Sequence, residues 1–335
     1  MRTVIATVVA LLLSSQAVAQ DFTLGSTKGS ANYQTAAALS KVLRYNGLNV
    51  TPIPHRGTQA YIDRVDKGEI DFGISNIAQL TWAVTGTHVS KRKHHNIRLV
   101  ANLQTFRTGL LVRHKSDIKS VADLKGKRVP TEFKSSPMFH KGMVNWLKNA
   151  NLSIEDTKQT PVSSLGTSWK AFARGDVDVV IGAIGSGSIK KLHAQIPGGV
   201  RWLSFDPAGE KVMFADYPGY RLGKVTPHAA TPGVRGSTNV VMFPYTLWAH
   251  KDVPEEAVET AVKYLFWSAD NLRAASPFFK SFNQYEMIAV TNGITIHPGA
   301  IKAYDQLGLI STMQKTECLC KHPRWDPETG TLRPV

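Results

Sequence analysis

The stretch "RGTQAYIDRVDKGEIDFGIS", residues 56–75, has a counterpart in "LGTSWKAFARGDVDVVIGA", residues 165–183. In both, Gly-Thr precedes an amphipathic segment. After that segment comes a glycine, then an acidic residue, an apolar residue and an aspartate, and an apolar run follows. A threonine hydroxyl can cap the free N–H groups of a helix start, and a glycine can end a helix in the left-handed conformation. Each stretch is therefore predicted to form a helix and then a buried strand. The two glycines are closer by two residues in the second stretch, which indicates a shared architecture rather than a recent copy.

The surrounding sequence extends both stretches into α/β units. Short apolar runs and helix-like segments alternate over residues 22–75 and, in the same order, over residues 126–184. Such alternation is typical of βαβ units in a mainly parallel sheet. We therefore expect an α/β fold with two lobes. Helix N-termini from both lobes would face one crevice at the carboxyl ends of the strands, where open α/β sheets bind ligands.

The chain is predicted to cross between the lobes twice. We assign residues 108–113 and 240–249 to hinge strands, which allow the lobes to close around a ligand. The helices expected at 254–275 and 298–308 would pack back on the first lobe. The predicted divisions are a signal peptide (1–19), a discontinuous lobe 1 (20–108 and 250–315), lobe 2 (109–249) and a C-terminal tail (316–335).

The N-terminus has the features of an export signal. Arg2 precedes an apolar run over residues 4–13, and Ala17-Val18-Ala19 has the small-x-small form of a cleavage site. We expect cleavage after Ala19 and export through the inner membrane. No cysteine follows the apolar run, so no lipid anchor is expected.

The charge of the chain favours an anionic ligand or an acidic partner surface. Forty Lys and Arg residues against 25 Asp and Glu give a formal net charge of +15, and removal of the signal with Arg2 leaves +14. An exported protein rarely meets nucleic acid, so we expect no nucleic-acid partner. The densest basic cluster, residues 91–95, is interpreted as a solvated loop.

Cys318 and Cys320 are the two cysteines of the chain. Export would permit a disulfide, but a bridge across one intervening residue would be strained. Together with His322 they form an incomplete ligand set for a soft metal. We expect no metal site, and the redox state of the pair stays open.

The small-residue loop over residues 25–33 is the first candidate binding segment. Ser26, Thr27, Ser30 and Asn32 would present hydroxyls and an amide beside the free N–H groups of the first helix, either to cap them or to bind an anion. Lys28 would add charge from the first lobe. Tyr33 either closes over an apolar part of the ligand or packs beneath the loop.

Arg56 is the preferred anion anchor, because it precedes Gly57-Thr58 at a predicted helix start and its guanidinium can bind a carboxylate through two hydrogen bonds. Lys134 could add charge from the second lobe, in which case a ligand with two carboxylates is favoured. Glu132 either neutralises Lys134 or binds the ammonium group of an amino acid. Ser135-Ser136-Pro137 is predicted to begin a helix that faces the first lobe. The glycine at 185 would let the backbone approach a ligand.

Enzyme motifs are absent from the sequence. It has no Gly-x-Ser-x-Gly, no His-Glu-x-x-His and no phosphate-binding loop of the Walker type. Ser135 and His140 could form a nucleophile–base pair, but no orienting acid is evident. We therefore expect a protein that is not an enzyme and that needs no cofactor.

Four segments together resemble the TAXI family, the solute-binding proteins of tripartite ATP-independent periplasmic (TRAP) transporters. They are "GSTKGSANY" (25–33), "GEIDFGISN" (68–76), "VADLKGKRV" (121–129) and "ITIHPGAIKAYDQLG" (294–308). The resemblance implies a two-lobed periplasmic binding protein, type II-like, that acts as a monomer. It would close on a small anionic solute, such as an acidic amino acid or a dicarboxylate, and deliver it to an ion-coupled TRAP permease.

The ligand-contacting segments of the family map onto loops of both predicted lobes. The predicted ligand-binding residues are Ser26, Thr27, Lys28, Ser30, Asn32, Tyr33, Arg56, Gly57, Thr58, Asn76, Glu132, Phe133, Lys134, Ser135, Ser136, Gly185 and Ser186. Lys28 interrupts a loop that is usually Gly-rich, Asn76 stands where Gln is common, and residues 131–137 depart from the usual Gly, Pro and Ser. The family ligands therefore do not transfer to this chain. A binding protein of an ABC transporter or of a membrane sensor kinase stays open as an alternative.

Overall fold

The structure is a computed structural model that describes residues 20–28, 30–288 and 291–310, and the backbone of two short strands at 325–326 and 331–332. The predicted signal peptide (1–19), with its cleavage after Ala19, lies outside the described residues, as do Cys318 and Cys320. Among the described residues, no helix has the length and apolar character that crossing a bilayer requires.

Strands and helices alternate through most of the chain. The strands are β1 (Phe22–Thr27), β2 (Val50–His55), β3 (Phe72–Asn76), β4 (Ile97–Arg113), β5 (Arg128–Glu132), β6 (Lys158–Val162), β7 (Val179–Ala183), β8 (Val200–Trp202), β9 (Arg221–Val225), β10 (Thr238–His250), β11 (Trp325–Asp326) and β12 (Thr331–Leu332). The α-helices are α1 (Ala31–Tyr45), α2 (Thr58–Asp66), α3 (Ile77–Thr85), α4 (Met138–Leu147), α5 (Leu165–Arg174), α6 (Gly187–Gln195), α7 (Glu210–Met213), α8 (Glu255–Trp267), α9 (Ala269–Ala275) and α10 (Pro298–Gln306).

The strands form two lobes with the same internal order. In the first lobe the order is β2-β1-β3-β10, with β1 parallel to both neighbours and β10 antiparallel to β3. In the second lobe β6 and β5 form a parallel pair, and β7 pairs antiparallel with β4. The Asp178 N–H donates to the Arg128 carbonyl (2.9 Å) and so joins β5 to the segment that leads into β7. The predicted α/β fold with two lobes is confirmed.

The long strands β4 and β10 join the lobes. Residues 97–108 of β4 pair antiparallel with residues 241–250 of β10. Beyond this shared run, the end of β4 pairs with β7 and β8, and the start of β10 pairs with β9. Each long strand therefore serves both lobes, as a hinge requires. The predicted boundary between lobe 1 and lobe 2 falls within β4 and at the end of β10, and it stays a prediction.

The repeated helix–strand motif forms with one difference from the sequence expectation. Gly68 and Gly175 follow α2 and α5 with φ of +73° and +95°, the left-handed conformation predicted for them. Thr167, however, is not the N-cap of α5. Ser164 is the N-cap, and the two residues form a capping box in which each side chain accepts the backbone N–H of the other. At α2 the N-cap is Gly57, so the Thr58 hydroxyl caps nothing.

The basic cluster at residues 91–95 is more structured than a solvated loop. His94 is buried, and its Nε2 lies 2.7 Å from the Asp63 carboxylate on α2. Arg92 forms salt bridges to Asp63 and to Asp66. Burial acts to raise the pKa of Asp66, but hydrogen bonds from the Asn96 N–H and from Arg92 hold that pKa below its ordinary value. The cluster thus anchors its loop to α2, while its lysines remain exposed.

The C-terminal helices pack on the first lobe, as the sequence indicates. His297 is the N-cap of α10, with Pro298 in the first turn, and its Nδ1 accepts the Gly299 N–H. The Tyr304 hydroxyl of α10 donates to the Val100 carbonyl of β4 (2.7 Å). Glu259 of α8 forms salt bridges to Lys263 (2.5 Å) and to Lys302 of α10 (2.8 Å).

Replacing Gly73 by alanine should destabilise the first lobe. A Cβ at Gly73 would lie 2.2 Å from the buried indole ring of Trp248, so the ring would have to move. We expect G73A to lower the free energy of unfolding by about 1–3 kcal/mol in urea denaturation. G236A is the matched control, because a Cβ there meets no atom within 4 Å. Equal stability of both variants would contradict this account of the core.

The Glu259 ion pairs should make stability depend on acid pH. Hydrogen bonds and charge from Lys263 and Lys302 lower the pKa of Glu259 to about 2. A lowered folded-state pKa stabilises the fold above the ordinary pKa of 4.5, and this stabilisation is lost as the pH falls towards about 2. We expect E259Q to lower the free energy of unfolding by about 1 kcal/mol at neutral pH. The difference from the unaltered chain should shrink when urea denaturation is repeated at about pH 3, and a constant difference would exclude this charge effect.

Candidate functional site

A cavity of about 290 Å³ lies between the two lobes. Residues that follow the carboxyl ends of β1, β2 and β3 line it from the first lobe, and residues that follow β5, β6 and β7 line it from the second. The hinge strands β4 and β10 contribute the rest of the wall together with Tyr217 and Tyr220. The volume is close to the lower limit of roughly 300–1,000 Å³ for small-molecule sites, so the cavity suits a small ligand.

Six helices begin at this cavity, three from each lobe. Residues at or beside their N-termini line the wall: Ala31 (α1), Thr58 (α2), Asn76 (α3), Met138 (α4), Ser164 (α5) and Ser186 (α6). Each helix N-terminus carries a partial positive charge and free N–H groups. Their convergence makes the cavity favourable for an anion.

The six helices differ in how their first N–H groups are satisfied. Side chains of Asn76, Ser164 and Ser186 accept hydrogen bonds from the first turns of α3, α5 and α6. The N-cap residues of α1, α2 and α4 make no such bond. Ser30, the N-cap of α1, instead donates its hydroxyl to the Thr27 carbonyl (2.7 Å). Helices α1, α2 and α4 are therefore the ones whose N-termini offer donors to a ligand.

The charged residues of the cavity wall are both cations. Lys28 and Arg56 line it, and no Asp or Glu occurs among the lining residues that the structure describes. Both side chains are exposed, and neither forms a salt bridge within the described residues. The Lys28 N–H donates to the His55 carbonyl, which places the backbone of Lys28 beside that of Arg56. The cavity therefore has positive charge from side chains as well as from helix termini.

A charged rim marks one end of the cavity. We define it as Lys28, Arg56, Ser135 and Ser136. A Cβ on Gly57 would lie 2.3 Å from the Ser135 carbonyl and 3.3 Å from the Ser136 hydroxyl, so the loops of the two lobes touch here. The closest approach of the lobes thus lies beside the cations, and Gly57 is needed because any side chain would hold the loops apart.

Ten of the predicted ligand-binding residues lie on the cavity wall. They are Thr27, Lys28, Ser30, Asn32, Arg56, Thr58, Asn76, Ser135, Ser136 and Ser186. Two of these have amides that are already engaged in the protein. Asn32 Oδ1 accepts the Thr27 N–H (2.7 Å), and its Nδ2 lies within hydrogen-bonding distance of the Tyr245 hydroxyl (2.5 Å) and the Ile74 carbonyl (3.1 Å). Asn76 caps α3 and reaches Met138 Sδ across the cavity at 3.5 Å.

Seven predicted residues lie away from the wall, three of them in the first lobe. Ser26 is fully buried, and its hydroxyl donates to the Ile53 carbonyl (3.2 Å). Tyr33 is 38% exposed and is not among the described residues that line the cavity. The backbone of Gly57 packs against Ser135 rather than facing the cavity. None of the three is among the described lining residues, and a part in ligand binding stays a prediction for them.

The other four belong to the second lobe. Glu132 and Phe133 adopt positive φ (64° and 48°), which turns the Phe133 ring into the core, where it lies 5.9 Å from Phe139. Lys134 is 76% exposed at its side chain and pairs with Glu132 at 3.5 Å. Gly185, with φ of +77°, lies beside the Ala230 carbonyl. Of the two roles considered for Glu132, its position favours neutralisation of Lys134.

Aromatic residues are the part of the wall that the sequence reasoning missed. They are Phe106, Phe139, Trp146, Trp169, Tyr217, Tyr220, Phe243 and Tyr245. Phe106 and Phe243 are register partners on β4 and β10, a pairing that the spacing in the sequence does not reveal. Trp169 lines the cavity, whereas Trp82 and Trp248 are buried and do not line it.

An aromatic floor lies at the hinge end of the cavity. We define it as Phe106, Trp146, Tyr217, Tyr220 and Phe243. Tyr220 stacks on Phe243 (centroids 4.4 Å apart, 14° between planes), and Phe243 stacks on Phe106 (5.6 Å, 18°). Burial raises the pKa of Tyr220 well above its ordinary value, so its hydroxyl stays neutral.

Further contacts between the lobes lie beside the cavity. The Trp82 indole N–H of α3 donates to the Asp216 carbonyl (3.0 Å), and the Trp82 ring meets Tyr217 edge to face at 5.0 Å. Within the second lobe, Lys141 of α4 forms a salt bridge to Asp216 (2.7 Å) and holds the pKa of that carboxyl below its ordinary value. The Trp82 contacts thus join the lobes, together with the contacts at Gly57 and between Asn76 and Met138.

Comparison with known proteins identifies the family. Residues 24–308 match the model of the NMT1-like family. The chain belongs to the NMT1-like family. Among solved structures, MatC from Rhodopseudomonas palustris with bound malate is 16% identical (TM-score 0.54), with 77% of this chain and 88% of that chain covered. The periplasmic aliphatic sulphonate-binding protein SsuA from Escherichia coli is 19% identical (TM-score 0.45), with 76% and 72% covered. The likeness to MatC confirms the fold of this NMT1-like chain.

Replacing Asn32 should loosen the loop that carries Lys28. Asn32→Ala removes the acceptor of the Thr27 N–H and the bond to Tyr245, and leaves buried polar groups unpaired. We expect a loss of about 1–3 kcal/mol in the free energy of unfolding and faster hydrogen exchange at the Thr27 amide. Gln34→Ala is the control, because Gln34 lines the cavity but is exposed. A loss no larger than that of the control would show that Asn32 does not organise the loop.

Proposed function

We propose that this NMT1-like protein is a periplasmic receptor that captures a small organic carboxylate and delivers it to a membrane permease. The observation that carries the proposal is the composition of the cavity wall. Six helix N-termini and two cations meet there, and no acidic side chain occurs among the described lining residues. The malate-bound MatC, which shares the fold, is consistent with a carboxylate ligand.

The electrostatics of the cavity favour an anion over a neutral or cationic solute. Hydrogen bonds to charged groups contribute roughly 1.5–3 kcal/mol each, and the uncapped N-termini of α1, α2 and α4 supply donors from both lobes. The Arg56 guanidinium can bind a carboxylate through two bonds. An anion at the charged rim therefore gains contacts from both lobes at once.

The wall also bears on which carboxylate is bound. An amino acid needs a partner for its ammonium group, since a buried charge without one is costly. Glu132 is paired with Lys134 outside the wall, so no carboxylate of the described lining residues serves that purpose. A dicarboxylate held by Lys28, Arg56 and Lys134 together is also disfavoured, because Lys134 does not line the cavity. The proposal is therefore a carboxylate without an ammonium group.

Ligand capture would proceed by hinge closure. The shared strands β4 and β10 let the lobes rotate as units, and a carboxylate at the charged rim bridges α2 of one lobe to α4 of the other. The contacts at Gly57 and between Trp82 and Asp216 then seal the cavity. No chemical step is proposed.

The permease is proposed to be of the TRAP type, and the protein to belong to the TAXI family, on the resemblance of four segments taken together, residues 25–33, 68–76, 121–129 and 294–308. The alternative, an ABC transporter, would require ATP rather than an ion gradient. Uptake into proteoliposomes with the cognate permease should follow an imposed ion gradient without ATP. A strict need for ATP would favour the alternative.

N-terminal sequencing of the exported protein would test cleavage after Ala19.

Arg56 provides the test of the anion site. Arg56→Ala should weaken carboxylate binding at least tenfold, or about 1.4 kcal/mol, without loss of folding stability. Binding is measured by isothermal titration of protein that has been unfolded and refolded to remove bound ligand. The titration panel contains malate, succinate, 2-oxoglutarate, glutamate, benzoate, phenylacetate and uncharged amides.

Lys134→Ala is the matched control, because Lys134 is a cation of the facing loop that lies off the wall. It should leave the affinity within about twofold of that of the unaltered protein. Equal affinities for Arg56→Ala and the unaltered protein would remove Arg56 from the site. Binding of an uncharged amide in preference to every carboxylate would overturn the proposed function.

A further inference from the structure

We infer that the cavity selects carboxylates that carry an aromatic ring, with the carboxylate at the charged rim and the ring against the aromatic floor. The inference rests on the proposed function and names its substrate class. Three observations support it. The two ends of the cavity differ in charge and exposure, most polar side chains between them are hydrogen-bonded within the protein, and aromatic rings are stacked on the hinge strands.

The two ends of the cavity differ in exposure and charge. Lys28, Arg56 and Ser135 of the charged rim are exposed. Most of the floor is buried, with Tyr217 2% exposed and Trp146 4% exposed, and Phe106 is half-buried. No charged side chain of the described lining residues lies at the floor, because Lys28 and Arg56 are both on loops at the rim. A ligand that fills the cavity therefore has its charge at the rim and an uncharged end against the aromatic surface of the floor.

The polar side chains between the two ends are mostly engaged within the protein. The Thr108 hydroxyl donates to the Gly182 carbonyl (2.6 Å), and the Ser164 and Ser186 hydroxyls cap α5 and α6. Asn32 and Asn76 are held by the bonds described above. Ser135 and Ser136 of the rim have no such hydroxyl bond among the described residues. Free side-chain donors thus occur at both ends, the Ser135 and Ser136 hydroxyls at the rim and the Trp146 indole N–H with the Tyr217 and Tyr220 hydroxyls at the floor. Only the rim carries cations, so a second carboxylate at the floor would lack a charged partner among the described lining residues.

The floor presents aromatic rings as an ordered stack rather than as scattered side chains. The rings of Tyr220, Phe243 and Phe106 are nearly parallel, and Phe278 continues the stack on the far side of Phe106 (5.4 Å, 11°). Such rings interact best with another aromatic ring in offset-stacked or edge-to-face geometry. An aliphatic chain of equal area would gain the hydrophobic contact but not this additional interaction.

The test is a calorimetric comparison on the refolded mature protein. The aromatic probes are benzoate, phenylacetate and 3-phenylpropionate, which move the ring progressively away from the carboxylate. Cyclohexanecarboxylate, cyclohexylacetate and succinate are the non-aromatic carboxylates, and benzyl alcohol is the uncharged aromatic. We expect the best aromatic acid to bind at least tenfold more tightly than its cyclohexyl analogue and than succinate.

Variants separate the two parts of the ligand. Phe243→Leu should reduce the preference for the aromatic acid over its cyclohexyl analogue to less than threefold, whereas Arg56→Ala should weaken both acids equally. Phe266→Leu is the control, because Phe266 packs against Tyr285 and does not line the cavity. Urea denaturation of each variant establishes that it is folded, and Phe106→Leu replaces Phe243→Leu if the latter does not fold.

The outcomes distinguish this inference from the proposed function. Succinate or a cyclohexyl acid that binds as tightly as the best aromatic acid overturns the inference and leaves the carboxylate receptor standing. An unchanged aromatic preference in both floor variants also overturns the inference. Benzyl alcohol that binds as tightly as the aromatic acids overturns the proposed function, because the charged rim then contributes nothing. Absence of binding by any carboxylate overturns both.

Discussion

The antiparallel pairing of β4 with β10 is the constraint on which the rest of the structure depends. Because both strands extend past their shared run, each also pairs with strands of the second lobe, and the two lobes are placed by one hydrogen-bonded ribbon. The same two strands also contribute residues to the aromatic floor of the cavity. Phe106 and Phe243 meet across the ribbon in register, so the element that joins the lobes also carries aromatic rings of the cavity wall.

The two lobes contribute to the cavity in similar ways because their strand order is the same. In each lobe three strands lead into three helices whose first turns meet the cavity, so backbone N–H groups supply most of the positive potential. Side-chain charge is confined to Lys28 and Arg56 on the first lobe. The second lobe contributes hydroxyls and aromatic surface. An anion at the proposed site would therefore be held by charge from one side and covered by polar and apolar surface from the other.

The α/β lobes could be predicted from the sequence because short local motifs mark their helices and strands. The site could be predicted only in part, because several of its residues are brought together by the pairing of strands that are distant in the sequence. Gly68 and Gly175 end their helices as expected, since a left-handed residue has a local requirement for glycine. Residues of the loops after β1 and β2 were found because they lie next to helix starts. Phe243 and Tyr220 were not found, since their place in the cavity depends on strand register and on a long connection. Lys134 was placed in the site, but the positive φ at Phe133 turns the loop so that the lysine faces solvent.

The missing caps of α1, α2 and α4 have a consequence for the life of the protein in the cell. A side-chain cap contributes about 0.5–2 kcal/mol to stability, and Ser30, Gly57 and Pro137 provide none at three of the six helix starts. Without a ligand the protein lacks that stability, and an anion at the proposed site would restore it by acting as a shared cap. Because unfolded chains are removed by proteases, the abundance of the receptor should rise with the supply of its solute without any change in its synthesis.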